Sequence, residues 1–197
     1  MGLLSLEHSK AAYRADFLAY SLSTAVLAGV LFGSHAHAAQ RPAAAGMALA
    51  GLAVWTLVEY LIHRFLMHGM EPFRRWHAEH HDRPTALIGT PTVFSAALIG
   101  ALVFLPSLCF TSAWMGGALT LGVLTGYLAY GSLHHGLHHW RMNTLWMKRR
   151  KLWHARHHHL HATDPGHYGV TTVFWDHVFG TAKAGRRKAP ARDTGVR

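Results

Sequence analysis

The sequence predicts an all-α integral membrane protein, with four transmembrane helices and a histidine-rich helical cap on the cytoplasmic side. Three observations predict it. Four long apolar stretches run through a 197-residue chain that is 50% hydrophobic and only 14% charged, and a helix needs roughly 20 apolar residues to cross a bilayer. Lysine and arginine crowd the connections on one side of those stretches. Histidine, present nineteen times, falls mostly into four clusters just beyond the ends of the apolar stretches.

The length fits one domain, taken as 1–181. Residues 182–197, with Arg186, Arg187, Lys188 and Arg192, read as a disordered basic tail suited to anionic headgroups. A formal net charge of +10 can signal nucleic-acid binding, but the long uncharged stretches point instead to a membrane protein with a basic face. Cys109 is the only cysteine, which excludes a disulfide within the chain and a thiolate zinc site. It reads as a small apolar filler.

The first stretch, residues 17–33, carries no charge. Lys10, Arg14, this apolar run and Ala36-His37-Ala38 together resemble a secretory signal with its cleavage site. The run is long for a signal, and Glu7 and Asp16 flank the basic residues, so we read a retained helix. The second stretch, 43–62, contains one acid, Glu59. A charge inside a membrane helix costs roughly 3 kcal/mol, so it usually has a partner or a task. Lying one turn before His63, Glu59 is placed to accept that imidazole's second N–H and fix its tautomer; snorkelling to the interface is the plainer alternative. The third and fourth stretches, 92–110 and 114–133, are separated by three residues and form a helical hairpin. Pro106 bends the third. Gly122 and Gly126 give the fourth a GxxxG spacing, a mark of close helix packing.

Orientation follows from the basic residues. Two precede residue 17, four lie between 62 and 92, and twelve follow residue 133, against Arg41 alone on the opposite side. Both termini and all four histidine clusters are therefore expected in the cytoplasm. Trp55, Trp76, Trp140, Trp146 and Trp153 suit anchors at the interface.

The clusters are His63 and His68; His77, His80 and His81; His134, His135, His138 and His139; and His154, His157, His158, His159 and His161. Imidazole is the commonest neutral nitrogen ligand for metals. Residues three or four apart share a helix face, so His77, His80 and His81 are expected to point one way, as are His134 with His138, and His154 with His157 and His158. His63 and His68, five apart, diverge by about 140° on a regular helix; they would serve two neighbouring metals, or the helix would end between them. Ten candidates exceed what one ion takes. Two ions, each with about five nitrogens, would use them all, and the scarcity of carboxylates argues against a glutamate-bridged di-iron bundle. His8, His35, His37 and His177 read as packing or interfacial residues. His135, His139, His159, His161 and His167 read as supporting or surface residues.

With these residues in place, the chain resembles the fatty acid hydroxylase and sterol desaturase superfamily of integral-membrane di-iron enzymes, and most of all its fatty acid 2-hydroxylase branch. That branch's pattern HX4H, HX2HH, HX3H and HX2HH falls on His63 and His68; His77, His80 and His81; His134 and His138; and His154, His157 and His158. Residues 169–181, GVTTVFWDHVFGT, resemble its closing WDxxFGT signature, in which Asp176 would orient a ligand histidine or cap a turn. The third box is doubled, so His135 with His139 offers a second register. His167-Tyr168-Gly169 stands where relatives often carry Asn-Tyr-Gly. The resemblance implies a mono-oxygenase with two iron ions, replaceable by zinc in purified protein, and O2 as co-substrate. It would hydroxylate a lipid acyl chain entering from the bilayer. The cytochrome domain fused to some relatives is not in this sequence, so electrons would come from a separate protein, cytochrome b5-like or a ferredoxin with its reductase. Carotenoid or sterol oxidation shares the same boxes. A membrane zinc-binding or transport protein is disfavoured, because the histidines lie at and beyond helix ends and not along the membrane centre.

Overall fold

The computed structural model describes residues 7–90, 92–159 and 165–182. The expected basic tail (Ala182 apart) and His161 lie outside the described residues. Every extended element among those described is helical, and their β pairing is one isolated bridge between Glu7 and Ile88.

Helix α1, Lys10–Gly33, begins where Ser9 accepts the amide of Ala12 at 3.1 Å, the side-chain cap that satisfies a first-turn N–H. A short 3-10 turn, His35–Gln40, leads into α2, Arg41–Leu61, which continues as a π-helical turn over Ile62–Met67. Helix α3, Phe73–Asp82, follows. The third apolar stretch is α4, Thr92–Ile99, then a π turn over Gly100–Phe104 and a single turn α5, Leu105–Ser107. Proline has no N–H and its ring crowds the carbonyl four residues earlier. The widened turn just before Pro106 accommodates that clash, where the sequence led us to expect only a bend. Helix α6, Ala113–His139, is capped by Ser112. Helices α7, Leu145–His159, and α8, Phe174–Val178, complete the chain.

Helix α6 is the axis of the bundle, packed against α2 along its length and also against α1, α4 and α5. Small residues permit the approach. A Cβ on Gly122 would stand 1.9 Å from the Ala48 carbonyl oxygen, one on Gly51 2.1 Å from that of Leu119, and one on Gly126 would overlap the Trp55 ring. The GxxxG expectation holds, and its partner is α2. Tyr20, Trp55, Ile99 and Val123 form one core cluster, and Leu31, Ala44, Ala118 and Leu121 another. The outer faces stay apolar: Leu22 and Val26 of α1 and Leu49 of α2 are 63%, 65% and 68% exposed.

Among the described residues two helices are long and apolar enough to cross a bilayer, Lys10–Gly33 and the continuous run His35–Met67; Thr92–Ser107 is apolar but shorter. Helix α3 meets the π turn that extends α2, α7 meets α6, and α8 meets α2, so the histidine-bearing elements gather at one end of the bundle.

Candidate metal centre

Two groups of five histidines form there. The first is His63, His68, His77, His81 and His157; the second is His80, His134, His138, His154 and His158. Within each group one nitrogen per residue lies within 4.8 Å of the others. All ten candidates are thus brought together, five and five.

The partition follows helix geometry with an exchange. Residues four apart stay about 40° apart on a helix, whereas the third residue turns away by about 60°. On α3, His77 and His81 therefore serve the first group while His80 turns to the second. On α7, His154 and His158 serve the second while His157 turns to the first. Helix α6 gives His134 and His138 to the second group alone. The expectation that each cluster points a single way is corrected for α3 and α7: each feeds both groups. His81 and His158, one from each group, stack at 4.2 Å between ring centroids.

His63 and His68 required another solution. They do not serve different groups, and the helix ends between them, at Met67, with His68 as its capping residue. The π turn over Ile62–Met67 adds a residue to the turn, so positions five apart align, and both enter the first group.

The donor set fits metal ions. His63 Nε2 lies 3.0 Å from His77 Nε2, His68 Nε2 3.1 Å from His157 Nε2, and His154 Nε2 2.9 Å from His138 Nε2. Nitrogens about 2.1 Å from one ion stand about 3.0 Å apart at a right angle and about 3.4 Å apart at a tetrahedral one. These contacts match ions with five or six ligands. Two imidazoles have their second nitrogen committed as donor: His63 Nδ1 to the Tyr168 carbonyl at 2.5 Å and His157 Nδ1 to that of Gly166 at 2.8 Å. Their Nε2 atoms then carry bare lone pairs aimed at other imidazoles, an arrangement a cation makes favourable. His80 Nε2 is buried without a hydrogen-bond partner. Among the described residues neither group contains a carboxylate, so with these ligands alone two divalent ions would keep their full positive charge.

Burial holds these rings neutral. Desolvation, reinforced by neighbouring imidazoles, lowers His80 to about 3 and His158 to about 2, and puts His77, His154 and His157 well below the ordinary 6.5. The folded metal-free protein therefore binds fewer protons than the unfolded chain between these values and 6.5. Stability is full above about pH 6.5 and falls as pH drops below it. Thermal unfolding of the metal-free protein in detergent is expected to show a constant midpoint from pH 7 upward and a steep decline from pH 6.5 to 4. A flat profile across that window would contradict the burial of neutral imidazoles.

The two acidic candidates act one step further out than expected. Glu59 does not touch His63. It accepts the Val170 amide at 2.7 Å, the Thr171 amide at 3.0 Å and the Thr171 hydroxyl. Asp176 touches no histidine; it accepts the amides of Tyr168 and Gly169, both at 2.8 Å, and the Thr181 hydroxyl at 2.7 Å. Between them the two acids pin the segment whose Tyr168 carbonyl receives His63. Arg150, buried on α7, donates to the carbonyls of Gly169 and Val170. Sequence reasoning missed Arg150 and the carbonyls of Gly166 and Tyr168. The closing signature was the available signal, because a Cβ on Gly169 would lie 1.9 Å from the Thr172 carbonyl. Gly166 and His167 both take positive φ, 70° and 56°. That conformation is uncommon for histidine, and here the buried ring packs on Trp153 at 4.4 Å.

The remaining described histidines stay out of both groups. His135 and His139 stack on each other at 4.3 Å, on the side where Tyr13 and Phe17 of α1 meet His135. His8 pairs with Asp16 at 3.0 Å, and His37 stacks on Trp114 at 3.8 Å. His159 bonds the Ala155 carbonyl, and His177 lies against Trp153.

A cleft of about 370 Å³ opens beside the groups, lined by His81, His138, His154 and His158 together with Pro84, Leu137, Lys151, Ala155 and His159.

Fold and site together define an all-helical protein that carries paired five-histidine, metal-binding groups at the end of an apolar bundle. Residues 48–181 match the fatty acid hydroxylase family. The chain belongs to that family. It is 37% identical over 142 residues to a dihydroceramide fatty acyl 2-hydroxylase of Arabidopsis thaliana, covering 66% of this chain and 58% of the relative. It is 33% identical over 156 residues to a ceramide very long chain fatty acid hydroxylase of Schizosaccharomyces pombe (66% and 40% covered) and 30% identical over 148 residues to human fatty acid 2-hydroxylase (69% and 39% covered). The chain thus spans 39–58% of the lengths of these relatives. The visible hydroxylase domain of full-length Scs7p superposes with a TM-score of 0.75 at 26% identity, over 89% of this chain and 68% of that one.

Proposed function

We propose that this protein is a membrane-bound, metal-dependent hydroxylase that places a hydroxyl group on an unactivated C–H of a lipid acyl chain, at carbon 2. The observation that carries this reading is the pair of adjacent all-nitrogen groups, in a chain whose relatives are named for 2-hydroxylation of acyl chains. Two iron ions bound by these ten histidines would supply the activation of O2, with electrons from a separate carrier protein. Zinc binds such nitrogen sites more tightly than ferrous iron, so purified protein is expected to contain some zinc.

The chain's own residues do the rest. Buried neutral imidazoles present lone pairs to the ions, and the 165–171 segment holds His63 and His157 in the required tautomer. The cleft gives the acyl chain apolar walls at Pro84, Leu137 and Ala155 beside the second group, while Lys151 offers its polar head a cation.

Four membrane spans with both termini and the histidines in the cytoplasm suit this chemistry, since an acyl chain would reach the groups directly from the bilayer. Helix α6 is sheltered by its neighbours, so it can cross without the apolar content that a lipid-facing helix needs. A reporter fused after Gly180 is expected to give a cytoplasmic signal; a clean signal from the opposite side would refute the topology.

Expression in a host lacking 2-hydroxylated lipids, followed by mass spectrometry of lipid extracts under labelled oxygen, tests the activity. The expected product carries one labelled oxygen at carbon 2 and is absent with His154→Ala. A lipid profile unchanged by metal-loaded protein supplied with an electron donor would overturn the assignment.

A further inference from the structure

Resting on the reading of both groups as metal sites, we infer that the two are unequal: the first binds its ion tightly, because Glu59, Arg150 and Asp176 position its ligands through the 165–171 segment, and the second is a weaker, exchangeable site facing the cleft. In the first group the second nitrogens of His63 and His157 are fixed by backbone carbonyls at 2.5 Å and 2.8 Å. Those carbonyls belong to a segment held from three directions, by Glu59 on α2, Asp176 on α8 and Arg150 on α7. None of these charged groups touches an imidazole. They act through the backbone, which makes them positioning residues.

The second group has no such brace among the described residues. Among the described residues its imidazoles hydrogen-bond only to one another, from His134 to His138 at 3.3 Å, His138 to His154 at 2.9 Å and His154 to His158 at 3.1 Å. His134 is steadied by stacking on Tyr130, with centroids 5.7 Å apart. Three of its five members line the cleft, against His81 alone from the first group. Outer partners that orient a ligating histidine are typically worth about 10–100-fold in metal affinity. The braced group should therefore hold its ion at least ten-fold more tightly, and the cleft gives the other ion its route of exchange.

Zinc titration of the metal-free full-length protein in detergent, against a chelator of known affinity, tests this directly. The wild type is expected to show two events, one zinc each, separated at least ten-fold. Glu59→Gln should weaken the tight event by about 10–100-fold and leave the weak event in place, whose survival shows that the fold is intact. His158→Ala should abolish the weak event alone, and His63→Ala the tight one. Two events of equal affinity in the wild type, or a weak event lost in His63→Ala and kept in His158→Ala, would overturn the inference while leaving the metal-dependent activity standing. A wild type that binds no zinc would overturn both.

Discussion

Alanine at His138 is expected to strip the second group of its ion and abolish hydroxylation, whereas alanine at His135 is expected to leave both ions bound. The two residues sit three apart on α6, yet only His138 faces the group, 2.9 Å from His154 and 3.3 Å from His134. His135 points toward α1, against Tyr13 and Phe17. On the proposed ligation, removing one of five nitrogens takes away a direct bond to the ion, so the loss should exceed the roughly 10–100-fold attached to outer partners. His135→Ala should cost only packing against α1, read as a small fall in thermal midpoint. Metal content of the purified variants, measured beside turnover, decides the matter. Were His135→Ala to lose metal and His134→Ala to keep it, the ligands would have to be His135 and His139.

The second large effect is structural. Gly122→Val is expected to prevent the bundle from assembling. The new Cβ would lie 1.9 Å from the Ala48 carbonyl oxygen and 2.7 Å from the Leu52 nitrogen, so it meets backbone that no rotamer change can clear. Overpacking a well-packed core against movable side chains costs about 1–3 kcal/mol; forcing α2 away from α6 should cost more, and it would also displace the π turn that carries His63. Size-exclusion chromatography in detergent should show aggregate in place of a single peak. Gly46→Ala is the control, because a Cβ there meets nothing within 4 Å and alanine favours helix over glycine by about 1 kcal/mol. A well-folded Gly122→Val protein with both ions bound would mean that α2 and α6 do not touch here.

Much of the site was legible because its signals are local. An i,i+4 histidine pair declares a shared face whatever surrounds it, and His77 with His81, His134 with His138 and His154 with His158 each fall within one group, as their spacing implies. GxxxG likewise announced close packing at Gly122 and Gly126. For His63 and His68 the sequence offered the helix end found at Met67 as one of two alternatives, but not the π turn that aligns them, whose extra residue leaves no mark in the pattern. His80 and His157 carried a signal that went unused: a three-residue step turns the side chain by about 60°, enough to reach the neighbouring group.

What the sequence by itself determined is the apolar helical character of the chain, its ten candidate nitrogen donors and its family, all of which rest on residue type and short-range periodicity. Which donor joins which group was decided by the tertiary structure. So was the fate of Glu59, whose partners Val170 and Thr171 lie 111 and 112 residues away, and the choice between His134 and His135, which depends on which side of α6 faces α1. The physical reason is the same in each case. Helix periodicity fixes directions around one axis, but a buried hydrogen bond or a metal–ligand bond forms only where packing brings a second, distant segment within about 3 Å.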